Sequence, residues 1–303
     1  MNTRAQRVRA AAVAAAFDRD VEADFDRIGR LLAEGCRHGV RLLVLPEAAL
    51  GGYLSSLGGE SRALDVTADV APEITPPPAF RLDGPEIARL AAMAGEVVLC
   101  AGFCEDVDGE RYNSAVCVHQ GRVLGVHRKV HQPLGEGNWY RSGERFTAFD
   151  TPVGRMGMMI CYDKAFPEAA RELALDGAEV VACMSAWPAS RTQRAEQIAD
   201  DRWTHRFDLF DQARALENQV YWVSANQSGT FGDLHFVASA KVVDPGGRVL
   251  ATTGTEDGMA VADLPLTDGL AAARGSMFHL RDRRPNSYPL GAEASLAPAG
   301  AVL

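Results

Sequence analysis

No stretch of this sequence is apolar for long enough to cross a bilayer as a helix. Basic residues are the minority: 31 Lys and Arg against 40 Asp and Glu give a formal net charge of -9. A nucleic-acid surface needs clustered cations facing phosphates, and an anionic membrane asks for the same, so neither partner is expected. Cysteine is sparse too. Six in 303 residues do not make a disulfide scaffold. Cys100, Cys104, Cys117 and Cys183 lie in or beside apolar, strand-like runs, where a thiol acts as a small core hydrophobe. The spacing of "CAGFC" lacks the tight CxxC pairs that turns present to zinc, so no metal site is expected there.

What is present is the composition of an ordinary globular protein, 47% hydrophobic and 23% charged. The length allows one large α/β domain or two smaller ones. "MNTRAQRVRAAAVAAAF" has the basic start and apolar stretch of a leader, but alanine is a weak apolar core and no cleavage region follows. A first strand over Val8 to Phe17, in a cytoplasmic protein, is the better reading. Further buried strands are read in "RLLVLPE" (41–47), "GEVVLCAGFCE" (95–105), "RMGMMICYD" (155–163), "AEVVACMSAW" (178–187) and "QVYWVSAN" (219–226). Helices are read in 84–95 and 167–178, each opening with proline at a first-turn position, and in the longer segment 194–218.

Hairpins interleave with these elements. Gln120-Gly121 joins two strands, a second turn falls at Pro152 to Gly154, and residues 238–264 read as a meander turning at 244–247 and near Asp257-Gly258. Helix-linked strands together with hairpins imply mixed sheets. No boundary divides the chain. The proline-rich segment 71–85 reads as a surface loop and 290–303 as a tail that only a partner would order. The expectation is one domain over 1–303, with helices outside and two β-sheets packed inside.

Three reactive groups stand at strand ends: Glu47 closes "LLVLPE", Lys129 follows "RVLGVHRK", and Cys161 closes "MGMMIC". In open α/β sheets ligands gather at the carboxyl ends of strands, so the three should meet at one rim. A carboxylate can take the proton of a thiol, and an ammonium stabilises both the thiolate and an oxyanion formed when sulfur attacks a carbonyl. Each alone reads more readily as a loop acid, a solvated cation or a core thiol. Their joint placement is what points to chemistry.

The sequence resembles the nitrilase superfamily of carbon–nitrogen hydrolases from about Ala23 to Tyr288. The resemblance rests on "GVRLLVLPEAALGGYL", "HRKVHQPLGEGNWYRSGERF", "GMMICYDKAFPEAARELALDGAEVV", "RALENQVYWVSAN" and "RDRRPNSY", which occur in the family's order. It implies a Glu–Lys–Cys triad at Glu47, Lys129 and Cys161, and a second glutamate at Glu136. It also implies a four-layer α-β-β-α sandwich with two mixed β-sheets, a homodimer or larger homo-oligomer, and chemistry without a metal or organic cofactor. The implied reaction cleaves a small amide through a thioester, with a backbone N–H near Tyr162 helping Lys129 to hold the oxyanion.

Substrate is less defined. Tyr162-Asp163 after the cysteine resembles amidase branches, where nitrilases tend to carry Trp-Glu. N-carbamoyl-D-amino-acid hydrolases place arginines shortly after the cysteine; Lys164-Ala165 stands there, leaving Lys164 as the nearby cation for an acidic ureido substrate. Tyr53, Trp139, Tyr162, Lys164, Trp187 and Asn226 are the candidate substrate contacts, with Tyr140 beside them; Trp187 reads equally as a core aromatic. The chain departs from the family at Ala238 and Ala240, where glycine and serine are usual. Glu217, Asn218, Arg283 and Arg284 read as structural clamps.

Rival readings are weaker. An α/β-hydrolase with a cysteine nucleophile and a histidine base needs glycines two residues either side of the nucleophile, and Met159 and Asp163 stand there. A zinc site on "HRKVH" lacks an acid between His127 and His131. N-carbamoyl hydrolysis and nitrile hydrolysis remain open, as does a silent binding member of the fold.

Overall fold

The computed structural model describes residues 7–58 and 74–288. The segment 290–303 and the first residues of the 71–85 loop lie outside it.

The first element of the described residues is β1 (Arg7–Ala15), whose register alternates between two buried faces. Ala10, Ala12 and Ala14 point one way, and Ala11, Val13 and Ala15 the other. A strand buried on both sides reads as a continuous apolar run. Helix α1 (Val21–Arg37) follows, its first turn fixed by the Asp20 carboxylate accepting the Ala23 N–H at 3.1 Å. Then come β2 (Leu42–Val44), α2 (Pro85–Ala94) and the strands β3 (Val98–Val107), β4 (Glu110–His119) and β5 (Arg122–Arg128). The β4–β5 turn places both Gln120 and Gly121 at positive φ, the geometry a two-residue hairpin requires.

The second half repeats the scheme with β6 (Phe149–Thr151), β7 (Gly154–Ile160), α3 (Pro167–Leu175), β8 (Val180–Ser185), α4 (Arg202–Asn218) and β9 (Tyr221–Gln227). It closes with β10 (Lys241–Val243), β11 (Val249–Thr252), β12 (Gly258–Pro265) and α5 (Leu266–Ser276).

Hydrogen bonding groups the strands as β5-β4-β3-β2-β1-β12 and β6-β7-β8-β9-β10-β11. Both sheets are mixed: β1, β2 and β3 run parallel, as do β7, β8 and β9, and the flanking strands run antiparallel. Among the described residues the two sheets are joined only at the ends of two interior strands, where Ala14 and Ala15 of β1 pair with Asn226 and Gln227 of β9, which makes one bent hydrogen-bonded path of twelve strands. Away from that corner they face each other. Ala10, Ala12, Leu42, Val44 and Cys100 meet Met156, Met158, Ile160, Ala182 and Val223 in one core. The outer faces carry helices: Val13, Leu43 and Leu99 under α1 and α2, and Met159, Val181 and Trp222 under α3 and α4. This is the α-β-β-α sandwich. Cys100, Cys104, Cys117 and Cys183 are buried free thiols within it.

Three expectations change. The helix read over 194–218 starts only at Arg202, because the Asp201 carboxylate caps it. That carboxylate accepts the Trp203 N–H at 2.8 Å and the Ser190 N–H at 3.0 Å, which bends the chain before it into a loop. The meander breaks after β11, since β12 crosses to pair with β1 instead of continuing the hairpin. The first strand ends at Ala15, two residues early, and the Phe17 N–H bonds the Gln227 side chain instead.

Candidate active site

Parallel β2, β7, β8 and β9 all end on one rim, and β5, antiparallel to β4, ends there too. The rim holds Glu47 after β2, Lys129 after β5, Cys161 after β7 and Ala186 after β8. Gly102 of β3 makes room for the Glu47 turn: a Cβ there would lie 2.7 Å from Glu47 Cα and closer still to the Ala48 nitrogen.

Glu47, Lys129 and Glu136 are all fully buried. The Lys129 ammonium donates to Glu47 Oε1 at 2.8 Å and sits between 2.8 and 3.0 Å from the two oxygens of Glu136. Asn113, on β4, places one amide hydrogen on each carboxylate, at 2.6 Å to Glu47 and 2.7 Å to Glu136. Tyr53 donates its hydroxyl to Glu136 at 3.0 Å, and the Ala186 N–H donates to Glu47 Oε2 at 2.6 Å. Burial pulls the Lys129 ammonium down, but the charges of Glu136 and Glu47 outweigh it and leave the group more basic than an ordinary lysine. Burial pushes Glu136 up, against the pull of Lys129. Two carboxylates sharing one cation in a dry site hold that cation charged.

Cys161 begins a single 3₁₀ turn, Cys161–Ala165, with its own φ at +50°. A non-glycine residue there costs of order 1–3 kcal/mol, and such strain clusters at functional positions. The turn is held by Asp163, which is fully buried and accepts five hydrogen bonds. They come from the N–H groups of Ile160, Val130 and His131, from His127 Nε2 at 3.0 Å and from His131 Nδ1 at 2.9 Å. Asp163 thus ties the Cys161 turn to the segment carrying Lys129. Burial would raise its carboxyl, but the two histidines prevail and hold it at about 2. The Cys161 thiol itself is driven well above the ordinary thiol range, first by burial and then by the charge of Glu47, with Lys129 opposing. A resting thiol in this setting keeps its proton.

A cavity of about 460 Å³ opens onto Cys161. Tyr53, Tyr162 and Trp187 line it, together with Trp203, Phe210 and Arg206 from α4 and Leu57, Gln132 and Leu134 from the facing loops. Lys164 does not reach it. Its side chain is fully buried, its ammonium donates to Asp211 at 2.8 Å and lies 3.1 Å from the centre of the Phe207 ring. Closeness to Cys161 in the chain carries no information about direction across a tight turn. Asn226 is also withdrawn, since its amide brackets the Trp187 backbone (Trp187 N–H to Oδ1, 2.8 Å) and fixes the segment that presents the Ala186 N–H. Trp139 packs in the cluster around Tyr53 and Tyr140 and does not line the cavity. Sequence reasoning missed Asn113, Asp163 and Arg206. An asparagine opening an apolar run and an acid two residues after Cys161 were available signals; nothing local marked Arg206.

The model of the carbon–nitrogen hydrolase family matches residues 9–274. An (R)-stereoselective amidase from a Pseudomonas species is 33% identical over 252 residues, covering 82% of this chain and 81% of that protein. An N-carbamoylputrescine amidase from Solanum tuberosum is 32% identical over 224 residues, covering 68% and 73%. Among solved structures, a carbon–nitrogen hydrolase from Helicobacter pylori G27 superposes with a TM-score of 0.78 at 25% identity, covering 94% of this chain and 97% of that one.

Proposed function

The chain belongs to the carbon–nitrogen hydrolase family, and from that premise we propose that it is a cysteine-dependent amidase that releases ammonia and a carboxylic acid through a thioester on Cys161. The observation that carries this reading is the buried Glu47–Lys129–Glu136 set behind a thiol at the wall of a cavity. A thiol that rests protonated needs a base at the moment of attack, and Glu47 is the carboxylate whose charge acts on it. As the S–C bond forms, the proton passes to Glu47. The carbonyl electrons move to oxygen, where Lys129 receives them.

Lys129 has three N–H donors, and its two carboxylate partners occupy two of them. The third is available to an oxyanion, beside the Tyr162 N–H at the start of the 3₁₀ turn. Collapse of the tetrahedral intermediate breaks the C–N bond, and the nitrogen leaves with the proton from Glu47. Water then gives a proton to Glu47 and attacks the thioester. The acid departs and the thiol recovers its proton. Glu136 keeps Lys129 charged and in place.

The Pseudomonas amidase agrees with an amide substrate, and Tyr162-Asp163 after Cys161 is what favours amides over nitriles. Residues 1–303 would form one domain acting in the cytoplasm, as a homo-oligomer whose contact faces include the exposed Leu209 and Leu216 of α4 with Met277 and Phe278. Ammonia release from a panel of amides, N-carbamoyl amino acids and nitriles tests the reading, with Cys161→Ala alongside. Release from amides that vanishes in the variant is expected; fastest release from nitriles, or release that survives the substitution, contradicts it.

A further inference from the structure

Lys164 is spent on Asp211 inside the fold, so the cation that the sequence places beside the nucleophile cannot meet a substrate. The cavity has a different one. Trp203, Arg206 and Phe210 follow one another at three- and four-residue steps on α4 and share the helix face turned toward Cys161. Among the described residues Arg206 is the single charged side chain lining that cavity. Among the described residues it makes no hydrogen bond or ion pair, whereas Arg202 one turn earlier is held by Ser190 and Arg214 two turns later by the Lys164 carbonyl. A guanidinium left without a partner beside an aromatic wall is suited to bidentate recognition of a carboxylate.

Size and field agree. A cavity of about 460 Å³ is in the range that accommodates drug-sized ligands and leaves most of its room empty around a short aliphatic amide. Its lining is mostly apolar and aromatic. The buried carboxylates behind Cys161 repel an anion from the deep end, so an acidic substrate enters amide first and leaves its charge toward α4. Resting on the amidase reading, we infer that the substrate is an amide with an apolar or aromatic body and a carboxylate at its far end, held by Arg206.

The test compares phenylacetamides carrying a para carboxylate, carboxymethyl or carboxyethyl group with phenylacetamides carrying an alkyl group of matching length. Wild type, Arg206→Gln and Arg206→Lys are assayed for ammonia release, and Cys161→Ala with and without Arg206→Gln is titrated with the same compounds. Wild type should favour at least one acid over its neutral partner by about ten- to hundredfold in kcat/KM, mainly through KM, as expected for a charge-assisted hydrogen-bonded pair. Arg206→Gln should collapse that ratio and Arg206→Lys should restore part of it. Equal turnover of acids and alkyl partners, or a ratio that survives Arg206→Gln, overturns the inference while leaving the amidase reading intact. If none of these amides is turned over, Cys161→Ala binding the acids preferentially through Arg206 sustains the carboxylate contact and overturns the placement of their amide at Cys161. Binding without preference, or none, removes the inference.

Discussion

Asn113 holds two carboxylates with one amide group, and no other side-chain type of its size can give a hydrogen to both. Asn113→Ala should therefore cost about 1–3 kcal/mol of unfolding free energy, since both oxygens lose a buried donor. It should also lower kcat at least about tenfold, equivalent to about 1.4 kcal/mol of barrier, by letting Glu47 shift. Denaturant titration and steady-state rates measure the two effects; an unchanged kcat would remove Asn113 from the positioning of Glu47. Asp163 makes a prediction with a sign. Its folded-state carboxyl lies near 2 against an ordinary 3.8, so the unfolded chain binds the proton more readily. The group's stabilisation is present above about pH 4 and is lost as the pH falls toward 2, a contribution of about 2 kcal/mol for this fully buried side chain. Asp163→Asn should be less stable than wild type at pH 5, with the gap narrowing toward pH 3. A gap independent of pH over that range would contradict it. At this scale the sequence was informative about side-chain type and poor about direction. Glu47, Lys129 and Cys161 could be found because strand ends share a rim. Lys164 was misplaced because its partner, Asp211, lies 47 residues further on.

Elements owe their positions to a few close approaches. Gly102 in β3 gives the Glu47 turn room that no side chain leaves, so Gly102→Ala must push the Glu47 backbone off the rim. Activity should fall by well over about tenfold, while circular dichroism stays that of a folded protein; full activity would show that the turn tolerates displacement. The strands and most helices were legible from apolar runs, first-turn prolines and turn residues. The start of α4 was not, because residues 194–201 carry a helix-like pattern and only the cap at Asp201 stops it. Nor could the crossing of β12 to β1 be read, since pairing between strands about 250 residues apart leaves no local mark. Ala238 and Ser239 both take positive φ before β10, a strain held by Ser239 bonding Asp208 and by Lys241 donating to the Ser239 carbonyl.

Across the whole molecule the distribution of cations is uneven. The chain has only three lysines, Lys129, Lys164 and Lys241, and all are buried, so every basic side chain on its surface is arginine or histidine. An amine-acylating reagent should leave the three lysines of the native protein unmodified and reach them only after denaturation, as peptide mapping would show. Labelling of Lys129 in the native state would mean that the site opens to solvent. The two sheets join at the carboxyl ends of β1 and β9, and that corner places Gln227 where its amide supports the Glu47 carbonyl at 2.9 Å. Global architecture and site geometry are therefore set together. The most direct test of the account is the mass of the intact protein, quenched in acid within the first turnovers of a good amide substrate. A gain equal to the acyl group, mapped to Cys161 and absent from Cys161→Ala, is the predicted result. Turnover with no acyl-protein, or an acyl group on another residue, would contradict it.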